Sequence, residues 1–209
     1  MRWSLQIFVA ALAVGAQACR GQKSTPSPIV GFWYETASLP LPSDVTARLG
    51  GPLTDDEAAL VRQVSEREIE RAFSGLRIAI GSRRDAFWRV QVLETLPVRF
   101  HQKLPTAGES VALGPLGGRG SVDLEVVSWK AIQFAPAAAS RRQIIEGIGR
   151  GVGRTAVHEL THLMLGGSTM DNQSDINSYE YHSADRSSQY YGELHWTAAW
   201  PLLQAKFGQ

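Results

Sequence analysis

The segment from Arg154 to Leu165 constrains the fold more than any other stretch of this chain. It contains no glycine or proline, carries Val157, Leu160, Leu163, Met164 and Leu165, and runs into Gly166-Gly167. Such a run reads as a buried helix closed by glycine at its C-terminal end. Inside it stands His158-Glu159-Leu160-Thr161-His162. On a helix, His158 and His162 lie one turn apart on the same face. Two imidazoles so placed suit one zinc ion, which takes nitrogen ligands readily. Glu159 reaches the same site without ligating. Its expected role is to take a proton from a metal-acidified water and pass it to a leaving amine. This is the HExxH pattern. Two plainer readings compete: an amphipathic helix with two accidental histidines, and a site that binds metal without catalysis.

The rest of the chain reads as follows. Folding is expected to begin near Ile29, with a loop-rich opening marked by Pro40, Pro42, Pro52 and Gly50-Gly51. Thr54 followed by Glu57 makes a capping box for a helix running to about Ser74. Strands are expected at Leu76 to Ile80, Phe87 to Leu93, Val98 to His101, Val122 to Val127 and Ala131 to Phe134. The glycine-rich run Thr106 to Ser121 reads as a long loop near the site. Ser140 caps the next segment, where Gly147, Gly149, Gly151 and Gly153 allow two readings. Either two helices meet at a joint, or one helix uses its glycines for close packing. An aromatic-rich, helical C-terminal part is expected up to Phe207.

The stretch Thr155-Ala156-Val157-His158-Glu159-Leu160-Thr161-His162-Leu163-Met164 resembles the active-site helix of zincin metallopeptidases. The resemblance covers about a dozen residues strongly and the strands before them weakly. It implies an α+β, zincin-like single domain: an N-terminal mixed sheet with a helix, the HExxH helix, and a helical C-terminal part. It implies zinc as cofactor, a peptide or protein as substrate, and an endopeptidase in preference to an exopeptidase. It also implies that an edge strand between Phe87 and Phe134 lines the substrate cleft.

Catalytic zinc takes a third protein ligand and keeps one position open. Leu165 and Ser168 stand where a metzincin would have glycine and histidine, and Met170 lies too near for that family's Met-turn. Gluzincins take a glutamate from a later helix, and Glu180 with Ser183 matches their Glu-x-x-Ser spacing. Asp185, one place later than in thermolysin-like enzymes, is the candidate to orient an imidazole. Asp171 follows the Gly166-Gly167 turn and is the main rival, with Asp175 and Glu193 behind it. His195 is the candidate stabiliser of the oxyanion, beside His182, Tyr190 and Tyr191. Tyr191, Trp196 and Trp200 read first as packing residues.

The first residues stand apart from this domain. Arg2, the apolar run Leu5 to Ala16 and the ending Ala16-Gln17-Ala18-Cys19 read as an export signal over residues 1–18. Cys19, the only cysteine, fits a lipid-anchored N-terminus at the membrane of a bacterial envelope. Simple secretion is the alternative. Residues 19–28 read as a tether and 29–209 as the domain. A net charge of +1 argues against a nucleic-acid partner. The rival functions are a non-catalytic zinc-binding envelope lipoprotein and a structural or interaction protein.

Overall fold

The computed structural model describes residues 27–97, 106–114, 117–166 and 171–208. In chain order the elements are β1 (Ile29–Tyr34), α1 (Ser43–Leu49), α2 (Asp55–Ala72), β2 (Ala79–Gly81), β3 (Trp88–Leu93), β4 (Gly108–Ala112), β5 (Gly118–Asp123), α3 (Leu124–Gln133), α4 (Arg141–Leu165), α5 (Ser188–Tyr191) and α6 (Ala199–Phe207). The class is α+β. The strands form one mixed sheet in the order β2-β1-β3-β5-β4. β1 runs parallel to β2 and β3, and β3 parallel to β5, while β4 is antiparallel to β5 and occupies an edge.

α4 is the spine. Its 25 residues extend about 37 Å at 1.5 Å per residue. It packs on β3, β4 and β5 and also against α2, α3, α5 and α6. Ser140 and Gln143 close a capping box at its start. Gly166 ends it with φ 82°, a left-handed turn that only glycine enters cheaply. The four glycines do not divide it, so the reading of one closely packed helix holds. Gly149 and Gly153 lie one turn apart, and a Cβ on either would sit 2.7 Å or less from Val64 Cβ or Ser65 O of α2. Each glycine costs a helix about 1 kcal/mol relative to alanine. Here close contact between the two helices offsets that cost.

α2 starts as expected, with Thr54 and Glu57 bonding each other's backbone N–H. Arg141, the first residue of α4, ties the two helix starts together. Its guanidinium holds Glu57 at 2.7 Å and donates to the carbonyls of Leu49, Gly51 and Pro52. Deeper in the same interface, Arg154 Nε meets Glu68 Oε2 at 2.9 Å, both side chains being nearly inaccessible. The same guanidinium donates to the carbonyls of Ser188, Gln189 and Gly192, fixing α5 to α4.

Several expectations are corrected. The glycine-rich run Thr106 to Ser121 is not a loop but holds β4 and most of β5. The strands expected at Val122 to Val127 and Ala131 to Phe134 are replaced by the end of β5 and by α3. Asp123 caps α3 by accepting from Val126 N, and Leu124, Val127, Ser128 and Ala131 form its buried face. That is a helical period, which the β-branched pair Val126-Val127 obscures. Ile29–Tyr34, expected to open a loop-rich region, is an interior strand. The strand near Leu76 is the short β2, starting at Ala79. The C-terminal part is less helical than expected, because turns and isolated bridges occupy most of residues 171–187. The strand expected at Val98 to His101, residues 1–18 and Cys19 lie outside the described residues. No helix among the described residues is long and apolar enough to cross a membrane.

Candidate metal centre

The inner face of β4 and β5 explains how α4 approaches the sheet. Gly108, Ser110 and Ala112 of β4 pair with Val122, Gly120 and Gly118 of β5 and share the face turned to α4. This face is almost bare of side chains. A Cβ at Gly108 would lie 2.6 Å from both Glu159 Oε1 and Thr155 Cγ2. One at Gly118 would lie 2.5 Å from Leu163 Cδ2, and one at Gly120 would lie 3.3 Å from Glu159 Cβ. The helix therefore sinks into the sheet, and Glu159 is only 6% exposed. Burial pushes its carboxyl above the usual range, against the pull of His158, the Ser110 hydrogen bond and His162.

His158 and His162 stand on the same side of α4. The imidazole Nδ1 of His158 lies 3.1 Å from the carbonyl oxygen of Tyr179. A carbonyl only accepts, so Nδ1 carries the hydrogen and Nε2 is left to face the site. His158 Nε2 and His162 Nε2 are 3.0 Å apart. Asp171 Oδ1 lies 3.4 Å from the first and 3.2 Å from the second. For tetrahedral zinc with bonds of about 2.0–2.1 Å, neighbouring donor atoms are about 3.3–3.4 Å apart. The three donors form a triangle that matches one face of that tetrahedron to within a few tenths of an ångström. Two nitrogens and one carboxylate oxygen are also a donor set that zinc favours. Among the described residues no fourth His, Cys, Asp or Glu joins the group. Burial lowers the tendency of His158 to take a proton, but the Asp171 bond and the Glu159 charge outweigh it and leave the ring more basic than usual. Asp171 is held below the usual carboxylate range, chiefly by the His158 hydrogen bond.

The segment after the site places Asp171. Asn172 N donates to Glu180 O at 2.7 Å, and His182 N donates to Asn172 O at 3.0 Å. Tyr179 N in turn donates to His195 O. These short bridges hold residues 171–172, 178–182 and 195 side by side beneath α4.

The other residues singled out in the sequence are placed elsewhere. Glu180 does not approach the imidazoles. Its carboxylate is 2% exposed and accepts from the N–H groups of Thr197, Ala198 and Ala199 at 2.9–3.0 Å, and from the Thr197 hydroxyl. It caps the start of α6. Asp175 pairs with His195 Nε2 at 2.7 Å and also accepts from Asn177 N. His195 is thereby tied to Asp175 and lies off the cleft wall. Glu193 pairs with Arg71 on the surface. Asp185 pairs with Lys130 at 2.7 Å and orients no imidazole. Tyr190 is buried against Phe134, and the Tyr191 hydroxyl donates to Ala131 O. His182 does line the cleft.

A cleft of about 1010 Å³ opens over the three donors. It extends past Thr155 and Gly108 to the exposed ring of Trp129, with Tyr181, Gln189 and Arg186 on its other wall. Gly108 belongs to the glycine-rich run read as a loop near the site, and it does line the cleft, but as part of a strand. Ser110, Tyr181 and Arg186 were not singled out in the sequence. Nothing marks them there, since their roles depend on strand register and on a turn-rich segment. No family model, curated protein or solved structure matches this chain.

Proposed function

We propose that this chain is a zinc-dependent peptidase in which His158, His162 and Asp171 hold the metal and Glu159 acts as general base. One observation carries the reading: three donor atoms with zinc-compatible spacing stand beside a buried carboxylate at the free edge of a strand. A bound zinc ion would supply Lewis acidity, acidifying a water molecule and polarising the scissile carbonyl. Glu159, made more basic by burial, accepts a proton from the attacking water. It then delivers that proton to the amine nitrogen as the C–N bond breaks. Three donors, the full set found among the described residues, leave room for substrate, which favours catalysis over a closed structural site.

β4 supplies the substrate rail. Leu113 N bonds Gly117 O and Asp123 N bonds Ala107 O, which sets the phase of the ladder. Ala107, Glu109, Val111 and Leu113 therefore spend their backbone groups on β5, while Gly108, Ser110 and Ala112 turn theirs to the outer edge, where the Gly108 carbonyl already accepts from the Thr106 hydroxyl at 2.9 Å. An extended peptide adds to such an edge by main-chain hydrogen bonds, laying its scissile bond alongside Glu159. His182 is the polar side chain on the wall best suited to the developing oxyanion. Export and lipid attachment at Cys19 would place this activity in a cell envelope.

The test is zinc per chain, measured by elemental analysis on the protein, on Asp171→Ala and on Glu180→Gln. The expected result is one zinc for the protein and for Glu180→Gln, and little for Asp171→Ala. Full retention by Asp171→Ala would remove Asp171 from the site. Casein or peptide-library cleavage that Glu159→Gln abolishes, without loss of zinc, supports the catalytic step. A zinc-loaded protein with no such cleavage leaves the non-catalytic reading.

A further inference from the structure

Arg186 stands out among the charged groups of the cleft. It lines the same cavity as the three donors, and it is 3% exposed. Its hydrogen bonds go to neutral acceptors only: the carbonyl of Ile176, and Gln189 Oε1 at 2.8 Å. Its Nε has no partner at all. The guanidinium lies over the Tyr181 ring, 4.9 Å from the centroid. Among the described residues no carboxylate comes within ion-pair distance of it. The carboxylates nearest in sequence are spent elsewhere: Asp185 on Lys130, Glu180 on the start of α6, Glu193 on Arg71 and Asp175 on His195.

Among the described residues the other buried arginine, Arg154, shows the usual solution. Arg154 is neutralised by Glu68 at 2.9 Å. Arg186 receives no such partner and feels Arg154 as a repelling charge, so burial pushes its pKa down to about 10. It stays charged at neutral pH. A buried guanidinium without a counter-charge is strongly unfavourable. Unpaired charge of this kind concentrates where a ligand completes it. Gln189 links Arg186 to the helix of the site, since its Nε2 reaches Thr155 Oγ1 at 3.4 Å, one turn before Glu159.

We infer that Arg186 anchors a carboxylate of the bound ligand, giving the cleft a preference for peptides that present an acidic side chain or a free C-terminus to this wall. Its position at the cleft rests on the peptidase reading only for the name of the ligand. The anion site itself follows from the arginine. Guanidinium and carboxylate match as planar partners, with two parallel hydrogen bonds.

Three probes of one skeleton test this. N-acetylglutamate α-amide carries a side-chain carboxylate, N-acetylglutamine carries a C-terminal one, and N-acetylglutamine α-amide carries none. Binding is followed by ligand-observed NMR on the full chain, zinc-loaded and after chelation, so no hydrolysis is needed. The expected result is at least about tenfold tighter binding of one or both carboxylate probes over the amide. The stronger of the two identifies the source, side chain or chain end. The preference should survive chelation and disappear in Arg186→Gln with zinc content unchanged. Equal binding of all three probes overturns the inference. So does a preference lost on chelation, which would assign the carboxylate to the metal, or one that persists in Arg186→Gln. Should Arg186→Gln fail to fold, the chelation arm still decides. Absence of peptidase activity with the preference intact removes the enzyme reading and leaves the anion site.

Discussion

Gly108→Ala tests the close approach of α4 to β4 most directly. The added Cβ would fall 2.6 Å from Glu159 Oε1 and 2.6 Å from Thr155 Cγ2. Ordinary contact is about 3.5 Å, so the strand or the helix must give by roughly 1 Å. The backbone at Gly108 is not left-handed, so the cost is one of space. Overpacking of this kind destabilises by about 1–3 kcal/mol. For a chain of this size, that lowers Tm by about 2–12 °C. The donor triangle is untouched, so zinc content should not change. Misplacing Glu159, the proposed general base, by this much should reduce any hydrolysis by about a hundredfold. Gly81→Ala is the control, because its Cβ meets only Arg83 Cγ at 3.9 Å. Its Tm should stay the same or rise by up to about 4 °C, opposite in sign to the loss at Gly108. Thr155→Ser removes one of the two clashing atoms while keeping the hydroxyl that meets Gln189. Gly108→Ala combined with Thr155→Ser should therefore recover part of the lost stability, read as a coupling in a double-mutant cycle by urea unfolding. Gly108→Ala with unchanged Tm and full activity would refute the packing argument.

Three further outcomes follow from the same structure. Arg154→Met strands the Glu68 carboxylate in the α2–α4 interface and should cost about 3–5 kcal/mol by urea denaturation, with Glu68→Met in the same chain restoring much of it; a cost below about 1 kcal/mol would speak against the pairing. Arg141, followed by the Thr54 N–H, holds the Glu57 carboxyl down at about 2 instead of 4.5. That stability is fully present above pH 4.5 and is lost as pH falls toward 2. Glu57→Gln should flatten this acid limb, lowering stability at pH 7 by about 1–2 kcal/mol once solvent screening is allowed for; an unchanged acid limb in calorimetry refutes it. A zinc ion held as proposed would join α4 to the segment carrying Asp171, so chelation should lower Tm, with the shift scaling with the logarithm of free zinc. Asp171→Ala should show no such shift.

The parts of the fold legible in the sequence are those governed by local rules. Thr54-x-x-Glu57 and Ser140-x-x-Gln143 place two helix starts, and Gly166 places a helix end. The parts that were misread depend on partners distant in sequence. β4 and β5 are poor strand formers in isolation, because apart from Val122 their inner face is glycine, serine and alanine, and composition alone points to a loop. Their strand character comes from each other and from α4, which needs that bare face. The candidate site divides in the same way. His158, Glu159 and His162 follow from a one-turn spacing that any helix obeys. Among the carboxylates after the helix, Glu180 matches a known spacing, yet the turn-rich chain directs its side chain to the start of α6 and sends Asp171 to the imidazoles. Spacing rules transfer between chains only while the intervening backbone is regular, and residues 171–182 are not helical.

The glycines of α4 and those of the β4–β5 pair serve one end. Gly149 and Gly153 let α2 press against α4 from behind, and Gly108, Gly118 and Gly120 let the sheet receive it in front. Between these two surfaces the helix has little freedom to rotate or shift. Rotation is what would carry His158 and His162 away from Asp171, since the three donor atoms sit within 3.4 Å of one another. The same squeeze removes water from Glu159 and raises its affinity for a proton. A side chain at Gly108 would relieve the squeeze only by pushing Glu159 aside, and one at Gly153 only by lifting α4 from Ser65. Helical propensity is thus given up at four positions of α4, and strand propensity at three of the sheet. In return the helix is fixed in place, and the basicity of its central carboxylate is set by packing.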